Sequence, residues 1–486
     1  MREIDCIRKR LDLGSDTYSQ GKISNEKMDE LCKTLKEFVT IMRSYQVESY
    51  KAYGTSAIRE TENTTIVRDQ IHQRTGIRVE VLSNSEQRFL DYKAVAFRGE
   101  SFQKVIEEKT AILDIGGGSI QISLFDNATL VSTQNLLLGA LRIQEYMNRF
   151  EVGRLNAENF ITEMAMAQLT NYKKLYMKDM AIKNLIVIDE YVSPWAVRQK
   201  GVDNQREPFD RAMFDAMKEQ LRTEPGARLS AAMGVGEDRL PLMYISAVLT
   251  DCIANLMGAE KLYIPGATLC DGIAYDFTGK NNMFRDEHDF EKDILACAMN
   301  ISKRYMGSRK RSETLDHITS TIFDSTKKIH GLGKRERLYL RLAAILHDCG
   351  KFISMMNIGE SSYNIIMSTE IIGLSHTERK IVASVVRFNH SKFEYYSQQT
   401  GSDILDQESY LTVAKLTAIL RLASGLDRSH KQKLKELKAS LKDGQLVLTA
   451  DTPEDITLEK GFFEEKKDFF QEVFSIEPIL KQRKAF

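Results

Sequence analysis

The chain has 486 residues, 28% charged and 42% hydrophobic, with Lys+Arg and Asp+Glu equal at 68 each. This is globular composition at a length of about three or four domains, and its balanced charge gives no general basic field for nucleic acid, so a polyanion would need a local basic channel. No apolar run reaches the roughly 18 residues of a membrane span, and the opening MREIDCIRKR lacks the hydrophobic segment of a secretory signal, so the chain is expected to be cytoplasmic, with neither membrane nor nucleic-acid partners.

In chain order, the first long helix follows Ser24, a residue suited to capping. Its apolar stripe is Met28, Leu31, Cys32, Leu35, Phe38, Val39 and Met42. Strands are predicted at Ser49–Tyr53 and Arg78–Leu82. Residues 111–125, AILDIGGGSIQISLF, place two β-rich runs on either side of three glycines, which predicts a hairpin and not a strand-to-helix phosphate loop. Further strands are predicted at Leu185–Ile188 and Leu262–Ile264. Strands interleaved with helices give an α/β pattern up to about residue 280.

From about 284 to 436 the pattern is helical, with a stripe at Leu338, Leu342, Ile345 and Leu346 and an apolar helix over 411–426. Lys438–Leu441 and Gln445–Ala450 around Asp443-Gly444 predict a hairpin, followed by a helix carrying Phe462, Phe463, Phe469 and Phe470. The six cysteines, Cys6, Cys32, Cys252, Cys270, Cys297 and Cys349, make no C-x-x-C pair and read as reduced, buried thiols. Trp195 and the many methionines read as packing residues.

Asp114-Ile115-Gly116-Gly117-Gly118-Ser119 carries the most chemistry. Phosphate approaches a backbone only where side chains are absent, and successive glycine amides form an anion nest. A carboxylate at the strand end can hold a divalent cation. The alternative is a glycine hairpin without a ligand.

The motif resembles the second phosphate loop of the actin-like, ribonuclease-H-like phosphotransferase fold. Its neighbours resemble the exopolyphosphatase / guanosine pentaphosphate phosphohydrolase family. Thr55-Ser56-Ala57-Ile58-Arg59-Glu60 with Asn63, Ser83-Asn84-Ser85-Glu86-Gln87, and Leu138-Gly139-Ala140-Leu141-Arg142 are similar to three family segments in order, and Leu426-Asp427-Arg428-Ser429-His430 and the Phe-rich helix match longer members. The resemblance implies hydrolysis of a terminal phosphate with Mg²⁺. Thr55, Ser56, Arg59, Gly116, Gly117, Gly118 and Ser119 would bind phosphate, Asp114 would hold the metal, and a glutamate would activate water.

The chain departs from the family in three places. A strand and first phosphate loop should precede residues 1–12, which resemble the strand that follows that loop; the sheet edge otherwise left open argues for a start upstream of Met1. The catalytic glutamate falls on Gln87, whose carboxamide hydrogen-bonds water but cannot take its proton. Glu86 is adjacent but points about 100° away on a helix. The metal-side glutamate falls on Gln121, and the second-lobe glycine loop falls near Ile188-Asp189-Glu190. Turnover is therefore expected to be weak or absent unless Glu86 or Asp91 takes the base role.

His347-Asp348-Cys349-Gly350-Lys351, placed on the helix that ends the Leu338 stripe, resembles an HD-domain metal motif, with His317 as the upstream histidine. The closing aspartate falls on Ser424, and other HD histidines fall on Ser361-Ser362-Tyr363, although His390 remains. A structural module is the stronger expectation, with His317, His347 and Asp348 the weaker metal candidates. Lys303, Arg304, Arg309, Lys310 and Arg311, and Lys431, Lys433 and Lys435, read as solvated faces more readily than as a polyphosphate channel.

The expected architecture is α/β: a first actin-like lobe at 1–108, a second at 109–283, a helical HD-like domain at 284–436 and a small α+β tail at 437–486. The expected function is release of terminal phosphate from polyphosphate or a guanosine polyphosphate bound between the lobes, with Mg²⁺, in a chain whose resemblance implies a homodimer. The competing readings are a polyphosphate- or nucleotide-binding regulator with weakened catalysis, and an HD-type metal phosphohydrolase.

Overall fold

The structure, a computed structural model, describes residues 4–9, 11–98, 102–201, 207–224, 226–280, 288–398, 404–434, 436–442 and 444–483. The chain divides into two compact units, Met1–His288 and Asp289–Phe486.

The first unit is built on a five-stranded sheet. Its strands β3 (Thr110–Ile115), β4 (Ile120–Asp126), β5 (Thr129–Leu136), β6 (Asn184–Asp189) and β7 (Lys261–Tyr263) are ordered β5-β4-β3-β6-β7. The first three run antiparallel and the last two parallel to β3. Helices cover both faces, so β3, β4 and β6 read as nearly continuous aliphatic runs. Side chains still alternate between faces. Ala111, Leu113, Ile115, Ile120, Ile122 and Leu124 enter one core cluster with helices Ala157–Tyr172 and Leu240–Met257. Asp114 and Gln121, opposite one another across the ladder, belong to the other face, which helix Asn84–Arg98 covers.

Ahead of the sheet, helix Asn25–Ser44 begins where expected, with Ser24 Oγ accepting from the Lys27 amide at 3.3 Å. Met28, Leu31 and Cys32 pack with Val67, Ile71 and Ile77. The expected strands flanking this region shrink to β1 (Tyr53–Gly54) and β2 (Glu80–Val81), which pair only with each other. Residues 4–9 are exposed and form no strand, because no strand of the described structure pairs with them; residues 1–3 and 10 lie outside the described residues. Helix Leu13–Gln20 and strand β5 were not anticipated.

Glu237–Met257 corrects the reading of membrane-length segments. It is long and apolar enough to cross a bilayer, but most of it is buried in the unit as a core helix. Trp195 is buried against Phe209, as a packing residue should be. Of the cysteines, only Cys32, Cys297 and Cys349 are buried; Cys6 and Cys270 are exposed, and all six are free.

The second unit is a stack of helices, among them Phe290–Arg304, Arg309–Ser325, Lys334–Leu346, Ile358–Ser368, His376–His390 and Gln407–Leu426. Its tail carries the expected hairpin as β8 (Leu437–Lys442) and β9 (Gln445–Asp451), with Asp443 outside the described residues. Helix Thr457–Phe474 follows and leads to β10 (Glu477–Arg483), an unanticipated strand parallel to β9. Lys303, Arg304, Arg309 and Lys310 are exposed, but Arg311 is not part of that face: it is buried. Lys431 is exposed, Lys433 pairs with Glu459, and Lys435 lies outside the described residues.

Candidate functional site

The glycine segment is the turn between β3 and β4, closed by the Gly116 amide donating to Ser119 O at 3.0 Å. The N-terminus of helix Ala140–Arg149 abuts it. The Ala140 amide donates to Gly116 O at 3.0 Å, the Arg142 amide to Gly117 O at 3.1 Å, and Arg142 Nε to Gly118 O at 2.8 Å. The loop carbonyls are thus consumed on the helix side, while the Gly117 and Gly118 amides have no acceptor among the described residues. Amides without acceptors beside a helix N-terminus favour an anion.

The reason for the glycines differs in part from the expectation. A Cβ at Gly117 would lie 2.7 Å from Leu141, and one at Gly118 would lie 2.6 Å from the Tyr18 hydroxyl. Close internal packing therefore favours bare backbone there, independently of a ligand, although the atoms met are side-chain ends that can shift. Gly116 and Gly117 are half-buried; Gly118 and Ser119 are buried. Of the glycines at this turn, Gly139 is under the tightest constraint, because its Cβ would fall 2.2 Å from Gly117 O.

Asp114 sits under this turn. Arg88, from helix Asn84–Arg98, makes an ion pair with Asp114 through Nη1, and its Nη2 reaches Ser119 O at 3.3 Å and Ser119 Oγ at 3.2 Å. Asp91, one turn along the helix, is buried. Burial, then the Asp114 charge, push the Asp91 carboxyl well above the ordinary range, and Arg88 only partly offsets them. Its proton is therefore retained where an exposed aspartate would have lost it. Sequence reasoning missed Arg88. The available signal was a basic residue in register with Tyr92 and Val95 on the apolar stripe of its helix.

The catalytic candidates scatter into separate roles. Glu86 closes a capping box, its Oε2 accepting from the Ser83 amide at 2.9 Å while Ser83 Oγ accepts from the Glu86 amide at 3.2 Å. Gln87 Oε1 accepts from Arg59 Nη1 at 3.2 Å, and the same Nη1 donates to Leu82 O at 2.8 Å. Gln121 Nε2 donates to Thr133 Oγ1 at 2.6 Å, within the sheet. Thr55 precedes helix Ser56–Glu60, its carbonyl accepting from the Arg59 amide at 2.8 Å. Burial raises the Tyr18 phenol above its ordinary pKa, and a hydrogen bond with Ser56 opposes the rise. Glu60 pairs with Arg142 at 2.8 Å, and Arg142 lies over the Tyr18 ring. Tyr18 and Glu60 thus link the Thr55–Glu60 segment to the glycine turn; neither was singled out from the sequence.

Asp189, in the expected position of a second glycine loop, instead caps the chain after β6. It accepts from the Tyr191 amide at 2.6 Å, the Val192 amide at 3.0 Å and Ser246 Oγ at 2.5 Å. Burial lifts its pKa to about 6, against those three donors.

In the second unit the His347–Asp348 motif lies just past helix Lys334–Leu346, in a turn leading to the 3₁₀ segment Cys349–Phe352, so it is not on the helix. His347 is fully buried, donates from Nδ1 to Ala344 O at 2.8 Å, and holds Nε2 3.5 Å from Asp348. Asp348 Oδ2 accepts from Arg311 Nη1 at 3.1 Å and Lys351 Nζ at 3.0 Å, and Arg311 Nε stands 3.6 Å from Asp427. His390 Nε2 donates to His347 O at 2.6 Å, and Ser424 donates to Asn389. His317 is exposed and shares no contact with the buried pair. Among the described residues no three His, Cys, Asp or Glu side chains are grouped to hold a metal ion.

Comparison with known proteins follows the same division of the chain. Residues 1–281 match the sequence model of the Ppx/GppA phosphatase family, and residues 296–467 match Ppx/GppA phosphatase, domain III. The helical region is therefore described by the family's own third domain, which is coarser than the HD-type reading. A guanosine-5'-triphosphate,3'-diphosphate pyrophosphatase of Photobacterium profundum is 19% identical over 461 residues, 91% of this chain and 85% of that protein. Exopolyphosphatase 1 of Mycobacterium bovis is 32% identical over 141 residues, 29% of this chain and 40% of that protein. Among solved structures, an exopolyphosphatase from Cytophaga hutchinsonii is 21% identical with a TM-score of 0.45, over 56% of this chain and 88% of that one.

Proposed function

The chain belongs to the Ppx/GppA phosphatase family, and from that premise we propose that its glycine turn binds the terminal phosphate of inorganic polyphosphate or a guanosine polyphosphate and releases it by hydrolysis. The observation that carries the reading is the division of labour in the turn. Its carbonyls bond to helix Ala140–Arg149 and Arg142, and the Gly117 and Gly118 amides are left for an anion.

In the reaction, a water oxygen forms a bond to the terminal phosphorus and the bridging P–O bond breaks. The shortened chain leaves with the bonding pair, and the water proton passes to a phosphate oxygen or to solvent. Positioning and charge neutralisation dominate such a step. Arg59 and Arg88 supply positive charge, and Gln87 orients water without accepting its proton. Loss of a general base removes about 10²–10⁴-fold in rate, so turnover is slow relative to binding.

Phosphate release from tripolyphosphate and from guanosine pentaphosphate, compared between the wild-type chain and Arg59→Ala, tests the proposal. Slow release by the wild-type chain, at least about tenfold slower in the variant, supports it. A chain that neither binds nor cleaves either compound overturns it. Binding without release would favour the second reading, a regulator that senses these anions, for which the hydrogen bond from Arg59 to Gln87 is the supporting observation.

A further inference from the structure

We infer that the Arg88 guanidinium occupies the position at Asp114 that a divalent cation would take, so that the glycine turn receives its anion without a resident metal. The inference rests on the phosphate-binding reading of that turn and assigns it a charge carrier.

The donor set does not suit Mg²⁺. A magnesium ion requires near-octahedral oxygen ligands and commonly takes one or two carboxylates. Asp114, at the strand end, already pairs with Arg88, and the second carboxyl there, Asp91, is spent on a hydrogen bond with Asp114. The Arg88 side chain is 3% exposed, so a metal displacing it from Asp114 would have to break a buried ion pair. Gln121, across the ladder from Asp114, spends its amide on Thr133 and Ser123. Among the described residues no group of three acidic, His or Cys side chains assembles around Asp114.

Arg88 is also placed to act on the loop itself. Its Nη2 donates to both Ser119 oxygens, and a Cβ at Gly116 would lie 3.2 Å from it. The fixed positive charge thus lies beneath the backbone that would carry the anion, in surroundings where a charge is weakly screened.

Two measurements on the full-length protein test this. The first is Mn²⁺ titration followed by the paramagnetic resonance of the free ion, without substrate. The expected result is no stoichiometric Mn²⁺ binding; one Mn²⁺ bound per chain and lost in Asp114→Asn would overturn the inference. The second is calorimetric titration with tripolyphosphate in EDTA, with circular dichroism confirming that each protein is folded. Saturable binding is expected, tightened about threefold or more in Asp114→Asn because a negative charge beside the anion is removed. Binding that appears only with a divalent ion would overturn the inference and leave the phosphate-binding reading intact. Tripolyphosphate bound in neither medium would overturn both the phosphate-binding reading and the claim about its charge carrier.

Discussion

Arg311 Nη1 donates to Asp348 Oδ2 at 3.1 Å inside the helical unit, where both side chains are almost wholly buried. The same guanidinium approaches Asp427 at 3.6 Å, so one cation lies between two carboxylates. Burial lowers the Arg311 pKa, and Asp348 then Asp427 offset only part of that fall. Asp348 is pushed up by burial, yet His347, Lys351 and Arg311 bring it down to about 2.

Arg311→Met is therefore expected to destabilise the protein by about 3–5 kcal/mol, because it leaves buried Asp427 without its paired cation and Asp348 with Lys351 alone. Arg311→Lys should recover only part of that loss, since a single ammonium cannot reproduce the planar fork between two acceptors. Urea unfolding followed by circular dichroism measures both. An unchanged midpoint in Arg311→Met would mean that Lys351 alone neutralises Asp348.

Gly139→Ala is expected to disable the glycine turn by a steric route. Its methyl group would fall 2.2 Å from Gly117 O and 2.3 Å from the Ser119 amide nitrogen. Backbone atoms cannot rotate away as a flexible side chain can, so the turn or the helix start must move by about 1 Å or more to restore van der Waals distance. Tripolyphosphate affinity should fall at least about tenfold, alongside a loss of about 1–3 kcal/mol in stability. Retained affinity would place the anion elsewhere.

The hairpin β3–β4 was legible because two buried β-branched runs flank three glycines. Helix Asn25–Ser44 was legible because its cap and apolar stripe agree. Helix Leu13–Gln20, LGSDTYSQ, was not, because those residues are weak helix formers and tertiary contact holds them: Gly14 packs against Leu141, and Tyr18 against Gly118. Strands β5 and β10 carry polar residues in mixed order, so neither shows clean alternation. At the site, the identities at 87 and 121 were readable directly as carboxamides. Their hydrogen-bond partners were not, since Thr133 meets Gln121 only through the sheet's register and Arg59 meets Gln87 only where two helices come together. Arg311 was misplaced for a related reason: a run of basic residues suggested a wet face, while the helix turns its last member inward.

Stability of the helical unit should fall with acid. Burial draws His347 down to about 3 and His430 to about 4, and lowers His390 and His330 as well. In the unfolded chain these imidazoles protonate near pH 6.5. A depressed folded-state pKa contributes stability that is fully present above about pH 6.5 and is lost as the pH falls towards the folded value. For His347 alone this is about 2 kcal/mol at pH 5. The helical circular dichroism signal should melt at lower temperature at pH 5 than at pH 7.5, and His347→Asn should narrow the gap. An equal or higher melting temperature at pH 5 in the wild type would contradict the assignment of a neutral, buried His347.

Gln87→Glu should raise phosphate release by about 10²-fold, the low end of what a general base supplies. The position is fixed by Arg59, whose Nη1 bonds both the Gln87 side chain and the Leu82 carbonyl. A glutamate there would keep that hydrogen bond, now charge-assisted, so the helix start need not move. The neighbouring guanidinium would hold the new carboxyl ionised at neutral pH, ready to take a proton from water, but would also weaken it as a base. That opposition is why the gain should lie near the bottom of the range. The change should appear in kcat with little effect on KM, because the carboxylate acts on the attacking water and not on the bound phosphate. Initial rates of phosphate release from tripolyphosphate, wild type against Gln87→Glu, decide it. An unaltered kcat in a folded variant that still binds tripolyphosphate would show that residue 87 does not face the attacking water, and Asp91 would become the carboxylate to replace next.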